Sequence, residues 1–268
     1  MRVNILADKK KNLFSPIPIN AKNIIAIASG KGGVGKSTVT ANLALALAER
    51  KKKVGLLDAD IYGPNIPLML GLQNEVAKVK ESKLIPVKKY NLKVMSVGFV
   101  AHPDKALIWR GPLANKVIEQ FLSDVDWGEL DILLIDLPPG TGDVPLSIIQ
   151  KTELTGGIIV TTPQEASIAD VKKMINMFQT TEIKVLGIVE NMKCLVCPDC
   201  SSKIELYPHK DQQSISKILG FDLLAEFPFE PKIGLKKDDG TPFYFSDKNN
   251  NTYKENQKFT DKILKLLK

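Results

Sequence analysis

The segment 30–37 has the residue types and the spacing of a phosphate-binding loop. It reads Gly-Lys-Gly-Gly-Val-Gly-Lys-Ser, which satisfies the pattern G-x-x-x-x-G-K-[ST]. Glycines let successive backbone N–H groups point at phosphate oxygens, and the helix expected from Lys36 adds the positive end of its dipole. We expect Lys36 to reach the β- and γ-phosphates of ATP and the Ser37 hydroxyl to bind Mg²⁺. The predicted nucleotide-binding residues here are Gly30, Lys31, Gly32, Gly33, Val34, Gly35, Lys36, Ser37 and Thr38.

Three aspartates follow apolar runs of strand length. Asp58 and Asp60 come at the end of one run, and Asp136 ends another. Open α/β sheets bind ligands at the carboxyl ends of their strands, so all three are expected to face the phosphate loop. We expect Asp136 to hold Mg²⁺ through water, Asp58 to support the metal shell and Asp60 to orient the attacking water. A strand-end aspartate can also cap a helix, and that alternative stays open for Asp58.

The three cysteines of the chain form two overlapping C-x-x-C pairs. Cys194, Cys197 and Cys200 are followed by His209, and three thiols are one short of the four that a Cys₄ site uses. Two metal arrangements stay open on the residues alone. Two chains could share a [4Fe–4S] cluster, or Cys194, Cys197, Cys200 and His209 could bind Zn²⁺ within one chain. A redox pair is a third option, although the motif does not open a helix at a strand end.

The elements that must position these residues alternate in type. Apolar strand-like runs are predicted at 24–28, 54–58, 94–97, 132–136, 157–161, 185–189 and 223–227, and helices at 38–49, 112–122, 166–178, 212–219 and 256–267. Strands that are apolar on both faces and separated by helices predict an α/β fold. The expected architecture is a doubly wound, mostly parallel sheet with helices on both faces. We expect a flexible leader at 1–22 and a single domain at 23–268, with a cysteine-containing insertion at about 191–211.

Composition and charge indicate the cellular compartment of the protein and the classes of partner that it binds. The chain has 268 residues, 37 Lys+Arg against 30 Asp+Glu and a net charge of +7. Its only arginines are Arg2, Arg50 and Arg110, which argues against nucleic-acid binding because base readout favours arginine. No run approaches the roughly 18 apolar residues of a membrane span, and three cysteines cannot form a disulfide framework. We therefore expect a cytoplasmic protein that does not bind membranes. The basic segment 257–268 is amphipathic, as interfacial anchors are, but packing of its apolar residues on the sheet is the favoured interpretation.

The phosphate loop, with Lys31 directly after its first glycine, resembles the deviant Walker A motif of the MinD/ParA superclass. Together with other stretches it makes the chain similar to the Mrp/ApbC family of iron–sulfur cluster carrier ATPases over roughly residues 22–245. Those stretches are 58–67, 109–112, 136–143, 162–167, 190–192 and 197–200. The extra Cys194 and the sequence Tyr-Pro-His-Lys at 207–210 depart from the family pattern.

The resemblance implies roles that the residues alone do not give. Lys31 would reach the nucleotide of a partner chain, Asn191 would recognise adenine, and the loop around Pro228 would flank the base. Cys197 and Cys200 would bridge a labile [4Fe–4S] cluster in a homodimer, with Cys194 as an additional candidate ligand. The expected function is an ATP-hydrolysing carrier, with Lys31, Lys36 and Asp60 as its catalytic residues, that passes clusters to apo-proteins and also meets cluster scaffold proteins. Alternatives are a ParA/MinD-like positioning ATPase, a zinc-binding P-loop ATPase and, ranked last, a reductase like the nitrogenase iron protein.

Overall fold

The computed structural model describes residues 15–100, 111–197, 200, 202–207, 214–231, 242–245 and 247–268. The strands in these residues are β1 (Ala21–Ala28), β2 (Val54–Asp58), β3 (Lys78–Lys80), β4 (Lys83–Ile85), β5 (Val87–Lys89), β6 (Leu92–Ser96), β7 (Leu130–Asp136), β8 (Gly156–Thr161), β9 (Val185–Glu190), β10 (Cys194–Val196), β11 (Lys203–Glu205) and β12 (Leu223–Glu226). The helices are α1 (Lys36–Glu49), α2 (Ile66–Met69), α3 (Gly111–Ser123), α4 (Asp143–Lys151), α5 (Glu165–Thr180), α6 (Ile215–Leu219) and α7 (Asn251–Leu266).

Eight of the described strands form one sheet in the order β12-β9-β8-β1-β7-β2-β6-β5. Neighbouring strands run parallel except β5, which is antiparallel to β6. Residues of β2 and β8 are buried throughout, which explains their unbroken apolar sequence. The predicted doubly wound, mostly parallel α/β fold is confirmed.

Helices cover both faces of the sheet, and each face has its own apolar core. One core joins Ile25 and Ile27 of β1 to α1, α2 and α7, while the other joins Ile24 and Ala26 to α3, α4 and α5. The alternation of β1 side chains between the two cores follows from the period of two along a strand. Both faces are thus sealed, and the carboxyl edge of the sheet is left for ligands.

The strand register brings polar residues together at that edge. Asp58 of β2 lies opposite Asp136 of β7 on one side and Ser96 of β6 on the other. The loop after β1 leaves the sheet at its centre, because β1 lies between β7 and β8. This is the point where the strand order reverses, which is where doubly wound sheets bind their ligands.

Several element boundaries differ from the sequence predictions. β1 begins at Ala21, which pairs with Leu130, so the sheet includes residues assigned to the leader. Ile17 also donates its N–H to the Lys151 carbonyl at 2.8 Å. Helix α6 begins at Ile215 because Ser214 caps it, and α7 begins at Asn251 because the Asn250 side chain accepts from Tyr253 N–H.

The last helix packs on the domain. Phe259 and Ile263 are fully buried in the core on the α1 face, and Leu267 packs partly against it, whereas Leu266 is exposed. The favoured prediction of packing on the sheet is therefore correct for Phe259, Ile263 and Leu267 and wrong for Leu266. None of the helices in the described ranges combines the length and the apolar character that crossing a membrane requires.

Candidate functional site

The phosphate loop is contacted by a side chain that follows β9, the second strand from β1 in the sheet. Gly35 precedes α1 with φ 82°, a left-handed conformation that favours glycine. A Cβ on Gly35 would lie 2.2 Å from Nδ2 of Asn191, so a larger residue there would have to displace the Asn191 side chain. Asn191 donates from this amide to the Val34 carbonyl at 2.9 Å. The loop and the end of β9 are therefore in direct contact.

The first turn of α1 forms a buried polar cluster with the end of β7. Nζ of Lys36 lies 2.8 Å from Oδ2 of Asp136, and the Ser37 hydroxyl donates to the same oxygen at 2.6 Å. Thr40 donates to Oδ1 of Asp136 at 2.7 Å. Lys36 is 6% exposed and Asp136 is fully buried. Such a pair is stable only because its polar atoms are satisfied, and removing one partner would leave an uncompensated buried charge.

Two further aspartates adjoin this cluster. Asp58 accepts from the Ser96 hydroxyl at 3.0 Å, and burial, followed by the negative charge of Asp136, raises its pKa. Burial also raises the pKa of Asp60, an effect that the positive charge of Lys36 opposes. Hard oxygen donors of this kind are what Mg²⁺ prefers. The proximity of the Ser37 hydroxyl and the Asp136 carboxylate fits a magnesium site, and a cation there would relieve the repulsion between Asp58 and Asp136.

Lys31 has a partner within its own chain. Its Nζ donates to Oε1 of Gln164 at 2.5 Å, and Gln164 directly precedes α5. Gly30, the preceding residue, is packed so closely on α5 that a Cβ there would lie 2.5 Å from the Asp170 carbonyl carbon. Here, then, Lys31 is held against the end of β8 and the start of α5.

The cysteines lie on a short excursion from the sheet. β10 and β11 form an antiparallel hairpin in which Cys194 pairs with Glu205. Cys194 and Cys197 are partly buried, whereas Cys200 is exposed. Sγ of Cys200 lies 3.0 Å from Oγ of Ser202. Hydrogen bonds from Ser202, then from the Cys197 side chain, lower the pKa of Cys200, which favours the thiolate that binds metals.

The hairpin is joined to the nucleotide side of the sheet over a few residues. After Asn191, the backbone N–H of Lys193 donates to Phe227 at 3.1 Å, and Phe229 donates to the Cys194 carbonyl at 2.7 Å. The Lys193 ammonium also forms an ion pair with Glu226. Pro228 lies between Phe227 and Phe229 and is partly buried. The segment around Pro228 thus packs on the hairpin that carries the cysteines.

The structure brings most predicted residues together at one edge. Gly30–Thr38, Asp58, Asp60, Asp136 and Asn191 adjoin one another, and the cysteines follow on the hairpin. Among the described residues, no group of three or more His, Cys, Asp or Glu side chains is arranged to hold a metal ion. His209 lies outside the described residues, so the Cys₃His alternative stays a prediction. Residues 109 and 110 of the family-like stretch 109–112 also lie outside them.

Three polar partners in the site were not predicted: Ser96, Thr40 and Gln164. Thr40 lies one helical turn after Lys36, so the period of 3.6 could have placed it beside Asp136. Ser96 ends β6 and could have been placed by the strand-end argument that identified Asp58. Gln164 lies in the stretch 162–167 that carries the family resemblance, but nothing in the sequence paired it with Lys31.

Known proteins match this chain over nearly all of the described fold. The family model of the ParA group described as NUBPL iron-transfer P-loop NTPase matches residues 20–264. The chain belongs to this NUBPL-type iron-transfer P-loop NTPase family. An iron-sulfur cluster carrier protein of Aquifex aeolicus is 47% identical over 227 residues, which cover 84% of this chain and 62% of that protein. The chain therefore spans less than two thirds of the length of that relative.

Relatives within and beyond the NUBPL-type family share the fold. The iron-sulfur cluster transfer protein NUBPL of Dictyostelium discoideum is 40% identical over 248 residues, 92% of this chain and 77% of that protein. A nucleotide-binding protein of Archaeoglobus fulgidus in complex with ADP is 43% identical with a TM-score of 0.69, covering 80% of this chain and 84% of that one. The cell division ATPase MinD of Pyrococcus furiosus is 25% identical with a TM-score of 0.66, covering 91% and 99%.

Proposed function

We propose that the protein binds and hydrolyses ATP and carries an iron–sulfur cluster, which it assembles in a homodimer and transfers to apo-proteins. The observation that carries the proposal is the direct connection between the two sites. Asn191 contacts the phosphate loop at Val34, and the cysteine hairpin begins three residues later at Cys194. Membership of a family of iron-transfer P-loop NTPases and the name of the Aquifex relative support it.

The nucleotide site supplies charge compensation and positioning. The Lys36 ammonium and the amino end of α1 would bind the β- and γ-phosphates, while Ser37, Asp136 and Asp58 would hold Mg²⁺. Magnesium neutralises phosphate charge when it is bound. Asp60 is half-exposed beside these groups and would orient the attacking water. Burial of Lys36 and Asp136 excludes water from the phosphate side, which strengthens these electrostatic interactions.

The cluster is the cargo, and each chain offers it an adjacent pair of thiols. Cys197 and Cys200 are three residues apart, and the lowered pKa of Cys200, to which Ser202 and then Cys197 contribute, favours a thiolate. A [4Fe–4S] cluster takes four thiolates, so two chains that each contribute this pair complete the set. Cys200 is exposed, which suits a cargo that must reach an acceptor protein. Cys194 faces Glu205 across the hairpin and would stay outside the ligand set.

The nucleotide would act on the thiols through the end of β9. A base or phosphate that displaces the Asn191 amide from the Val34 carbonyl would move the segment 191–193, which Lys193 ties to Glu226 and Phe227. Lys31 would exchange Gln164 for the phosphates of the partner chain as the dimer closes. Both changes alter the geometry of the hairpins that face each other.

Cluster transfer to an apo-enzyme tests this proposal. The reconstituted protein is mixed anaerobically with an apo-protein whose activity requires a [4Fe–4S] cluster, with ATP, with ADP or with no nucleotide. We expect transfer with the wild type at a rate that depends on the nucleotide. Asn191→Ala should transfer at a rate independent of nucleotide, whereas Asn74→Ala, a matched change in an exposed loop, should behave as wild type. A wild type that holds zinc and activates no acceptor would contradict the proposal.

A further inference from the structure

The end of the sheet opposite the phosphate loop carries two adjoining grooves rich in lysine. The first, with a volume of about 540 Å³, lies between the starts of β1 and β7 and the end of α7. Its lysines are Lys22, Lys52, Lys265 and Lys268. The second, of about 670 Å³, lies between the α1–β2 connection and the β5–β6 turn. Its lysines are Lys51, Lys52, Lys53, Lys88, Lys89 and Lys93. Because both grooves share Lys52, they form one continuous surface, here called the basic face.

Positive charge on the basic face is not balanced by the carboxylates around it. Asp131 and Asp261 are the acidic residues that line the grooves, and they pair with Lys22 and Arg50. Within the described part of the chain, no ion pair is formed by the groove lysines Lys51, Lys52, Lys88, Lys265 and Lys268.

The pKa of Lys93 is a second indication of the excess positive charge. Burial lowers its pKa, and the positive charges of Lys88 and Lys53 lower it further against the opposing effect of Asp126. Like charges held this close cost free energy, which an anionic partner would relieve. A general need for solubility does not explain why lysines from the start of β1, the α1–β2 connection, the β5–β6 turn and α7 converge on one surface.

The grooves combine this charge with apolar area. Ile132, Leu264 and Leu267 line the first groove, and Tyr90 and Leu92 line the second. A linear anionic ligand with some apolar side chains would contact both kinds of surface along the length of the two grooves. Among the described residues, those that line the grooves include no arginine, the residue that nucleic-acid backbones and bases favour. Carboxylates already pair with lysines here, as in the contacts of Lys22 with Asp131 and Lys53 with Glu129.

We propose that the basic face binds an extended, acidic segment of a partner protein. Binding there leaves the nucleotide site and the cysteine hairpin free, because the face lies at the amino ends of strands whose carboxyl ends carry Asp58 and Asp136. A five-residue strand such as β2 separates the two ends by roughly 16 Å. The partner can therefore be held at one end of the protein while chemistry proceeds at the other. The proposal does not depend on the proposed function, since it concerns binding alone.

A labelled decaglutamate peptide with two flanking leucines is the probe for this site. Its binding to the full chain is measured by fluorescence anisotropy, beside a single-stranded DNA of ten nucleotides and vesicles with an anionic lipid. The peptide is expected to bind, and binding should weaken as salt is raised. Lys88→Glu/Lys265→Glu, with one exposed lysine from each groove, should weaken peptide binding about 10-fold, because each reversal turns an attraction into a repulsion.

The matched control reverses two exposed lysines outside the basic face. Lys116→Glu/Lys217→Glu has the same net charge and should change peptide affinity less than about 2-fold. Lys88→Gln/Lys265→Gln gives an intermediate loss if the contacts are electrostatic, and it keeps the test valid should the reversal disturb folding. Equal losses in the two reversal variants would overturn the proposal, as would DNA or vesicles that bind through Lys88 and Lys265 more tightly than the peptide.

Discussion

The phosphate loop and the cysteine hairpin are neighbouring regions that differ in burial. Lys36 is 6% exposed, and Asp136 and Asp58 are fully buried. Every polar group in that cluster is matched by another from the same chain. The hairpin consists of two strands of three residues, β11 is exposed along its length, and Cys200 is exposed. One site is pre-organised by the core of the domain, whereas the other lies at its surface.

This difference separates a cluster of buried charges within one chain from a surface hairpin that offers two adjacent thiols. A buried, satisfied cluster binds its ligand with little reorganisation, which suits catalysis. A thiol pair in which Cys200 is exposed and has a lowered pKa suits a cargo that is received and released. The contact between Asn191 and Val34 joins the two regions, so each can be altered while the other is monitored.

Removal of the thiol pair should have the largest effect of the variants that distinguish the two regions. Cys197→Ser/Cys200→Ser is expected to abolish cluster binding in anaerobic reconstitution, because no adjacent thiol pair is left. ATP affinity and thermal stability should stay as in the wild type, since the hairpin contributes little to either core. Iron and sulfide content per chain and visible absorbance are the measurements.

Cys194→Ser is the matched control for that variant. It removes one thiol from the same hairpin. The cluster should be kept, because Cys194 pairs with Glu205 at the end of the hairpin where β10 begins and β11 ends. If Cys194→Ser lost the cluster and the double variant kept it, Cys197 and Cys200 would not be the ligands.

Removal of the buried ammonium should affect the other region. Lys36→Met is expected to weaken ATP binding by about 100-fold, the equivalent of roughly 3 kcal/mol, while cluster content per chain is unchanged. The change leaves Asp136 buried without its partner, so Lys36→Met/Asp136→Asn should recover thermal stability but not ATP affinity. Calorimetric titration with ATP gives the affinity. An unchanged affinity in both variants would contradict the assignment of the phosphate loop.

Glu190 lies at the end of β9, beside Asn191, and should show the smallest effect. It is fully buried, its Oε2 has no hydrogen-bond partner in the described structure, and burial raises its pKa. A raised pKa in the folded state means that the stability it contributes is present below about pH 4.5 and is lost as the pH rises through the folded value. The Glu190→Gln variant has no carboxyl group to ionise at this position, so it should not lose this stability as the pH rises.

The variant is therefore expected to melt about 2–4 °C higher than the wild type at pH 8, which corresponds to roughly 1 kcal/mol for a domain of this size. The difference should shrink towards pH 4, where the wild-type carboxyl is protonated. Glu226→Gln, which alters the half-exposed neighbour on β12, serves as the control. A wild type that is more stable than Glu190→Gln at pH 8 would show that Glu190 is stabilising as a charge.

Much of this fold could be predicted from the sequence because its central strands are buried on both faces. The continuous apolar runs of β2, β7, β8 and β9 and the glycine pattern of the phosphate loop are local signals. Helix α4 was missed because Pro145 in its first turn hides the helical period. Strands β3, β4 and β5 were missed because they are three residues long and rich in lysine.

The contacts that make the site were harder to predict because they join distant parts of the chain. Lys31 and Gln164 are 133 residues apart, and Asn191 and Val34 are 157 residues apart. Such pairs are fixed by the order of strands in the sheet, which no local pattern specifies. The strand-end argument nevertheless placed Asp58 beside Asp136, because the carboxyl ends of adjacent parallel strands meet at the same edge.

The central claim is that one cluster takes its thiols from two chains, whereas the buried part of each nucleotide site comes from one chain. Native mass spectrometry of the anaerobically reconstituted protein, with ATP and Mg²⁺, tests it most directly. The account predicts a species of two chains with four iron and four sulfide ions, which the Cys197→Ser/Cys200→Ser variant does not form. A single chain that carries a complete cluster or a tightly bound zinc ion, whether or not ATP is present, would contradict it.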